Sequence, residues 1–283
     1  MTSICICGAG TMGSGIAQVA AAAGYKAILY DLNREILKKA AANMEQNLQM
    51  LVNKQKITPE KKAAMLKQLH FTSEVEEVVA DVIVEAVVEK MDVKLSLFNQ
   101  LSEINTPDTI FASNTSSLSI SEIARHVPHP QRVAGLHFFN PAPVMKLVEV
   151  VKGTDTSDEV ITSLISMTRE FGKTPVVCKD SPGFIVNRVA RPYYIESLRL
   201  LEEGLADVET IDRLLESKGF KMGPFRLMDL IGNDINYAVS CSVYEQLKKP
   251  ERLKPSFIQK EKVDQGALGK KTGRGYYVYE AGK

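Results

Sequence analysis

Tryptophan is absent from this 283-residue sequence, and histidine and cysteine are scarce at four each. Cys5, Cys7, Cys178 and Cys241 are too few for a disulfide framework in a chain of this length. No Cys/His spacing resembles a zinc site, so no metal is expected. The sequence also lacks an apolar run approaching the roughly 18 residues that cross a bilayer, and lacks a basic segment leading into an apolar one at its start. The expected setting is cytoplasmic, or an organelle matrix if a transit peptide has been trimmed, with no membrane partner. Charge of one sign is missing too. Thirty-five Lys and Arg against 34 Asp and Glu leave a formal net charge of +1, so nothing in the overall charge points towards nucleic acid or a membrane surface. What remains is ordinary for a globular protein, 45% apolar and 24% charged, with length for one large domain or two moderate ones.

Against that plain background the N-terminus is specific. Ile4 to Cys7 is a short apolar run, followed at once by Gly8, Ala9, Gly10, Thr11, Met12 and Gly13 and then by an Ala-rich helical stretch. In a strand–turn–helix of this kind the first glycine permits the tight turn and the second lets backbone amides approach a pyrophosphate. The third lets the helix pack closely on the sheet, and the anion sits at the helix N-terminus. Lys26–Tyr30 reads as the second strand, and Asp31 ends it. An acid there accepts hydrogen bonds from ribose hydroxyls and repels a 2′-phosphate, so NAD is expected over NADP. Arg34 stands close enough to weaken that preference.

From Arg34 to His70 apolar residues recur at helical spacing, and Thr58-Pro59-Glu60 has the form of an N-cap, first-turn proline and first-turn acid. This helical pair is longer than a strand crossover needs. It is also basic, which reads either as a solvated face or as an arm that meets a phosphorylated ligand. Asp81–Glu89 reads as a strand buried on both faces, with Glu89 and Lys94 near the carboxyl edge of the sheet where α/β ligands bind. Thr109–Ala112 is a further strand, and the hydroxyl-rich run Ser113–Ser119 follows it at that same edge. The strongest break lies at Asp180–Phe184, beyond which strand signals nearly vanish. The expected architecture is α/β: a Rossmann-type doubly wound sheet with a helical-pair insertion over residues 1–186, followed by an all-α domain over 187–283. The apolar positions of that second domain suggest a homodimer interface.

The chemistry is expected in Leu136–Val151. Pro141 and Pro143 divide two short strands, with His137 on one and a lone Glu149 in an apolar run on the other. Burying an unpaired carboxylate costs several kcal/mol, so Glu149 needs a partner, either His137 or backbone amides. A His–Glu pair fixes the imidazole tautomer and stabilises the protonated ring. No nucleophilic serine signature accompanies it. Beside an NAD site, the economical reading is removal of a hydroxyl proton by His137 while hydride leaves the same carbon.

Gly8–Gly13, Ser113–Leu118, His137–Pro143, Lys146–Val150, Ser181–Arg188 and Met222-Gly223-Pro224 together resemble the 3-hydroxyacyl-CoA dehydrogenase family, in particular its bacterial 3-hydroxybutyryl-CoA members. The resemblance runs the length of the chain in family order. It implies reversible NAD-linked oxidation of (S)-3-hydroxyacyl-CoA to 3-ketoacyl-CoA, with acyl-CoA as partner. It makes His137 the acid/base and Glu149 its orienting partner, while Ser116 and Asn187 bind the reacting end of the substrate. Asp31, Glu89, Lys94, Asn114, Asn140 and Lys271 match the family's NAD contacts, and Lys54 matches a position that meets the CoA adenosine phosphate. Met50 departs from relatives with lysine there. The segment Phe220–Asp234 is closer to the 3-hydroxyadipyl-CoA dehydrogenases, where Arg226 faces either a distal carboxylate or solvent. A non-catalytic NAD-binding relative of the lens-crystallin kind is the rival from another class.

Overall fold

The computed structural model describes residues 3–279. The chain divides into two compact units, one ending at Ser181 and the other beginning at Pro182.

The first unit is one eight-stranded sheet in the order β3-β2-β1-β4-β5-β6-β7-β8. The strands are β1 (Ser3–Cys7), β2 (Lys26–Tyr30), β3 (Leu69–Thr72), β4 (Val82–Glu85), β5 (Ile110–Ser113), β6 (Val133–Phe138), β7 (Leu147–Lys152) and β8 (Thr174–Lys179). All pairs are parallel except β6 with β7. The order reverses between β1 and β4, which is where a doubly wound sheet opens a ligand crevice. Strands β4, β5 and β6 are buried at every position, as an apolar run covered by helices on both faces requires. Pro175 falls in the edge strand β8, one of the few places a sheet accepts proline.

Helices α1 (Thr11–Ala22), α2 (Arg34–Asn53), α3 (Pro59–Lys67), α4 (Met91–Ile104), α5 (Ile120–Arg125) and α6 (Asp158–Glu170) cover the sheet or project from it. The Thr58 hydroxyl accepts from the Lys61 amide, and Pro59 opens α3. The α2–α3 pair is therefore present between β2 and β3, with one correction. Leu69–Thr72 is not helical but pairs with Ala27–Tyr30, a register that local periodicity does not reveal. The strand expected over Asp81–Glu89 also stops at Glu85, because the Glu85 carboxylate takes the Val87 amide at 2.8 Å and turns the chain.

The second unit, apart from two isolated bridges in its tail, is helical: α7 (Val186–Glu202), α8 (Val208–Ser217), α9 (Pro224–Ile231), α10 (Asn233–Gln246) and α11 (Phe257–Asp264). Its core includes Tyr194, Leu198, Ile211, Phe225 and Met228. Asp229, fully buried on α9, ties down the chain's closing segment. Its oxygens accept from the Tyr276 and Tyr277 amides, the Tyr279 hydroxyl and the Asn233 side chain. Asp229→Ala leaves these donors without an acceptor and should cost about 3 kcal/mol. Calorimetric melting and limited proteolysis at the tail test this, and an unchanged Tm would show that the strap is not structural.

Candidate active site

Three strand ends and one loop build the site in the first unit. Strands β6 and β7 run antiparallel, and their register sets His137 directly opposite Glu149. His137 Nδ1 lies 2.7 Å from Glu149 Oε2. The carboxylate is wholly buried and the ring nearly so, at 0% and 6% exposure, so the pair is sheltered from competing water. Directly opposed side chains of an antiparallel pair sit about 4.5–5.5 Å apart at Cβ, close enough for this bond without strain. Phe139 packs against the imidazole with ring centroids 4.5 Å apart.

The end of β5 is held to that pair. Asn114 accepts the Phe138 amide on its side-chain oxygen at 2.9 Å, which fixes the residue beside His137. The hydroxyl loop beyond it is gripped by Glu89, which accepts from the Thr115 hydroxyl at 2.5 Å, the Ser116 amide at 3.1 Å and the Ser117 hydroxyl at 2.9 Å. Lys94 lies at 1% exposure with its ammonium between two carboxylates, 2.6 Å from Glu85 and 3.1 Å from Glu89. Glu85 accepts in addition from the Ser113 hydroxyl. Burial raises the Glu85 carboxyl above the ordinary range even though Lys94 opposes it. Burial also acts on Glu89, but there Lys94 and the hydroxyls prevail and its carboxyl is lowered. Glu85 was not singled out from the sequence. Its signal was available: a carboxylate ending a strand buried on both faces needs a partner as much as Glu149 does.

The nucleotide crevice fits a dinucleotide. Gly8 has φ +104°, and a Cβ there would stand 2.6 Å from the Ala86 carbonyl oxygen; one on Gly13 would stand 1.8 Å from the Gly8 oxygen. Around Gly10 nothing lies within 4 Å of a Cβ position, so the space beside it is open to a ligand. Gly10 caps α1 without a side-chain hydrogen bond, and no acid occupies the first turn, leaving amides and dipole for a diphosphate. Beside it a cavity of about 810 Å³ is lined by Asp31 together with apolar residues such as Leu32, Ile36, Val88 and Val93, a polar anchor and greasy walls suited to an adenosine. The Asp31 carboxylate is oriented by the Ala9 and Asn33 amides. Arg34 donates to Ser73 and Glu74, so its charge is already engaged.

A second cavity, of about 430 Å³, has Gly10, Ser14, Lys39, Asn43, Asn47 and Asn140 among its lining residues. Lys54 caps the far end of α2 and lines neither cavity. Met50 is 46% exposed. Asn187 and Lys271 belong to the second unit: Asn187 lies in the first turn of α7, and the Lys271 ammonium pairs with Asp234 at 2.7 Å. Cys5 and Cys7 are buried, and burial pushes the Cys178 thiol up to about 12. Among the described residues no cluster of three or more His, Cys, Asp and Glu is placed to hold a metal ion, and no helix is long and apolar enough to cross a membrane.

A parallel sheet with the 3-2-1-4-5-6 order and a glycine turn at its switch point defines a dinucleotide-binding protein, here with a buried His–Glu pair at the same edge of the sheet. Comparison with known proteins makes this specific. Residues 3–181 match the 3-hydroxyacyl-CoA dehydrogenase NAD binding domain, and residues 183–279 match the C-terminal domain of the same family. The chain belongs to the 3-hydroxyacyl-CoA dehydrogenase family. It is 48% identical over 281 residues to a 3-hydroxyadipyl-CoA dehydrogenase of Escherichia coli K12, a match that covers 99% of this chain and only 59% of that relative's length. It is 43% identical to the mitochondrial hydroxyacyl-coenzyme A dehydrogenase of Rattus norvegicus, over 98% of this chain and 91% of the relative. The (S)-3-hydroxybutyryl-CoA dehydrogenase structure from Ralstonia eutropha superposes with a TM-score of 0.95 at 37% identity, covering 99% of both chains. The first unit is the family's NAD-binding domain.

Replacing Lys94 by Met leaves Glu85 and Glu89 without their cation. Glu85, wholly buried and already raised by burial, then holds its proton to still higher pH in the folded protein than in the unfolded chain. The resulting loss of stability therefore grows as pH rises above about 4.3. Denaturant melts should show a deficit of about 3–5 kcal/mol at pH 8 and a smaller one at pH 5. An equal deficit at both values would argue against a buried charge network.

Proposed function

We propose that this protein catalyses the reversible NAD-dependent interconversion of (S)-3-hydroxyacyl-CoA and 3-ketoacyl-CoA, with 3-hydroxybutyryl-CoA and acetoacetyl-CoA among its substrates. The observation that carries this reading is the buried contact between His137 and Glu149 at 2.7 Å. With Nδ1–H donated to the carboxylate, Nε2 carries the lone pair that takes the proton of the 3-hydroxyl. The charged ring so formed stays beside Glu149, whose negative charge stabilises it. In the reducing direction the same Nε2 returns the proton. NAD supplies the acceptor for the hydride that leaves the carbon. General acid–base assistance of this kind contributes about 10²–10⁴ in rate.

Ser116, its amide held by Glu89, and Asn187 are assigned to the oxygen functions at the reacting end of the substrate. Asp31 is assigned to the adenosine ribose, and Glu89, Lys94, Asn114, Asn140 and Lys271 to the nicotinamide half and its surroundings. The thioester's CoA is assigned to the face of α2, with Lys54 toward its phosphate. The cytoplasm supplies both the cofactor and the thioester. The second unit exposes several large apolar side chains, including Val189, Leu214, Leu230, Ile235 and Phe257. This number of exposed apolar side chains in one helical unit supports a homodimer formed through it.

Acetoacetyl-CoA should oxidise NADH in a spectrophotometric assay, and free acetoacetate should not. His137→Ala should lower kcat at least a hundredfold while NADH binding persists. Near-normal turnover in that variant would refute the role of the pair. NADPH should serve poorly, and Asp31→Ala should narrow the gap between the two cofactors. An unchanged preference would move the discrimination to another residue. Light scattering should give the mass of a dimer, and Ile235→Asp should shift it toward monomer if the helical unit forms the interface.

A further inference from the structure

Two arginines of the second unit differ in how their charge is met. Arg226 is partly exposed and already neutralised: its guanidinium lies 3.8 Å from Asp212 and 3.7 Å from Glu216, over the ring of Tyr277. Arg191 is 2% exposed, and no ion pair among the described residues includes it. Its Nε donates to the Asn187 carbonyl at 3.0 Å. Its Nη1 donates to the Asn236 carbonyl at 2.9 Å and the Ser240 hydroxyl at 2.8 Å. The ring of Tyr194 lies beneath it. All four contacts are neutral. Burial lowers its proton affinity to about 10, which still leaves it cationic at neutral pH. A buried cation held only by neutral acceptors is costly, and its most natural complement is an anion.

The residue whose carbonyl accepts from Arg191 also carries an unmet donor. The side-chain Nδ2 of Asn236, buried on α10, has no hydrogen-bond partner, although its Oδ1 accepts from Gln259. A carboxylate arriving here finds a guanidinium and an orphaned amide, a forked donor set that matches its two oxygens. Arg132 in the first unit is also buried without a carboxylate, but it precedes the N-terminal end of β6, whereas His137 is near the C-terminal end.

Position says where that carboxylate comes from. Arg191 follows Asn187 by four residues on α7, so the two share a face about 6 Å apart along the axis. If Asn187 orients the reacting end of the acyl chain, the chain that continues along α7 brings its next few carbons toward Arg191. In a six-carbon chain the terminal carbon lies three bonds beyond the carbinol carbon, at about 1.5 Å per bond. A four-carbon chain stops short.

We propose that Arg191, with Asn236, is a specificity determinant that receives a carboxylate at the distal end of the acyl chain, so that the favoured substrates are 3-hydroxyacyl-CoA thioesters of dicarboxylic acids. This rests on the acyl-CoA reading above. It also assigns the recognition to Arg191 and not to Arg226.

The test compares 3-ketoadipyl-CoA with 3-ketohexanoyl-CoA, which share chain length and differ at the terminal group. The wild-type kcat/KM ratio should favour the adipyl thioester at least tenfold. Arg191→Met should reduce that ratio at least tenfold, with most of the loss on the adipyl side, and Arg191→Lys should retain part of it. Calorimetry with the unreactive pair adipoyl-CoA and hexanoyl-CoA should show the same discrimination in the Kd values without turnover. A wild type that reduces 3-ketohexanoyl-CoA but gains nothing from the terminal carboxylate overturns this inference alone. Equal losses on both substrates in Arg191→Met, leaving the ratio intact, overturn it too by showing a purely structural arginine. A wild type that reduces no 3-ketoacyl-CoA overturns the acyl-CoA reading itself.

Discussion

A carboxylate at zero exposure is tolerated only when a donor is fixed against it, and in this protein that requirement organises the carboxyl edge of the sheet. Glu149 meets it through His137, and the meeting depends on a reversal of strand direction. Had β7 continued the parallel run of β1 to β6, His137 and Glu149 would not face each other in one register. The reversal comes from the short turn that Pro141 and Pro143 interrupt, which returns the chain directly into β7. One antiparallel pair in an otherwise parallel sheet thus sets a buried His–Glu pair at the edge where such sheets bind ligands.

The same rule of compensation recurs at three depths. At the end of β4, Glu85 and Glu89 share Lys94, and through Glu89 the charge network holds the amide and hydroxyls of the Ser116 loop. In the second unit, Asp229 closes the tail by accepting from two amides, a hydroxyl and an amide side chain. The carboxylates in these places are met by several donors each, and the segments they hold are thereby fixed. Arg191 is the contrast: a buried charge whose protein partners are all neutral. Arg132 and Lys173 are likewise buried against neutral acceptors; Arg191 differs in lying beside Asn187, a residue assigned to substrate, and is therefore informative about the ligand.

Much of this was legible from one-dimensional pattern. Gly8 to Gly13 specify a turn whose glycines are required by contacts a Cβ would violate. The N-cap and first-turn proline at Thr58 and Pro59 specify a helix start through bonds only three residues long. Pro141 and Pro143 separate β6 from β7 because proline removes a ladder donor. Strand β3 was hidden because Leu69–Thr72 follows a helix directly and gains its identity from pairing with β2. The end of β4 was misjudged for a related reason: apolar residues continue to Val88, and only a side-chain bond from Glu85 to the Val87 amide stops the strand.

Local chemistry therefore determined the nucleotide turn, the alternation of strands and helices and the break near Ser181, since each rests on residue type or on interactions a few positions apart. Tertiary structure decided which charges answer one another. It engaged Arg34 with Glu74 and Arg226 with Asp212 and Glu216, enclosed Lys94 between two carboxylates, and left Arg191 among neutral groups. Those outcomes depend on desolvation and on contacts between residues far apart in the chain. A sequence specifies such contacts only through the fold it adopts.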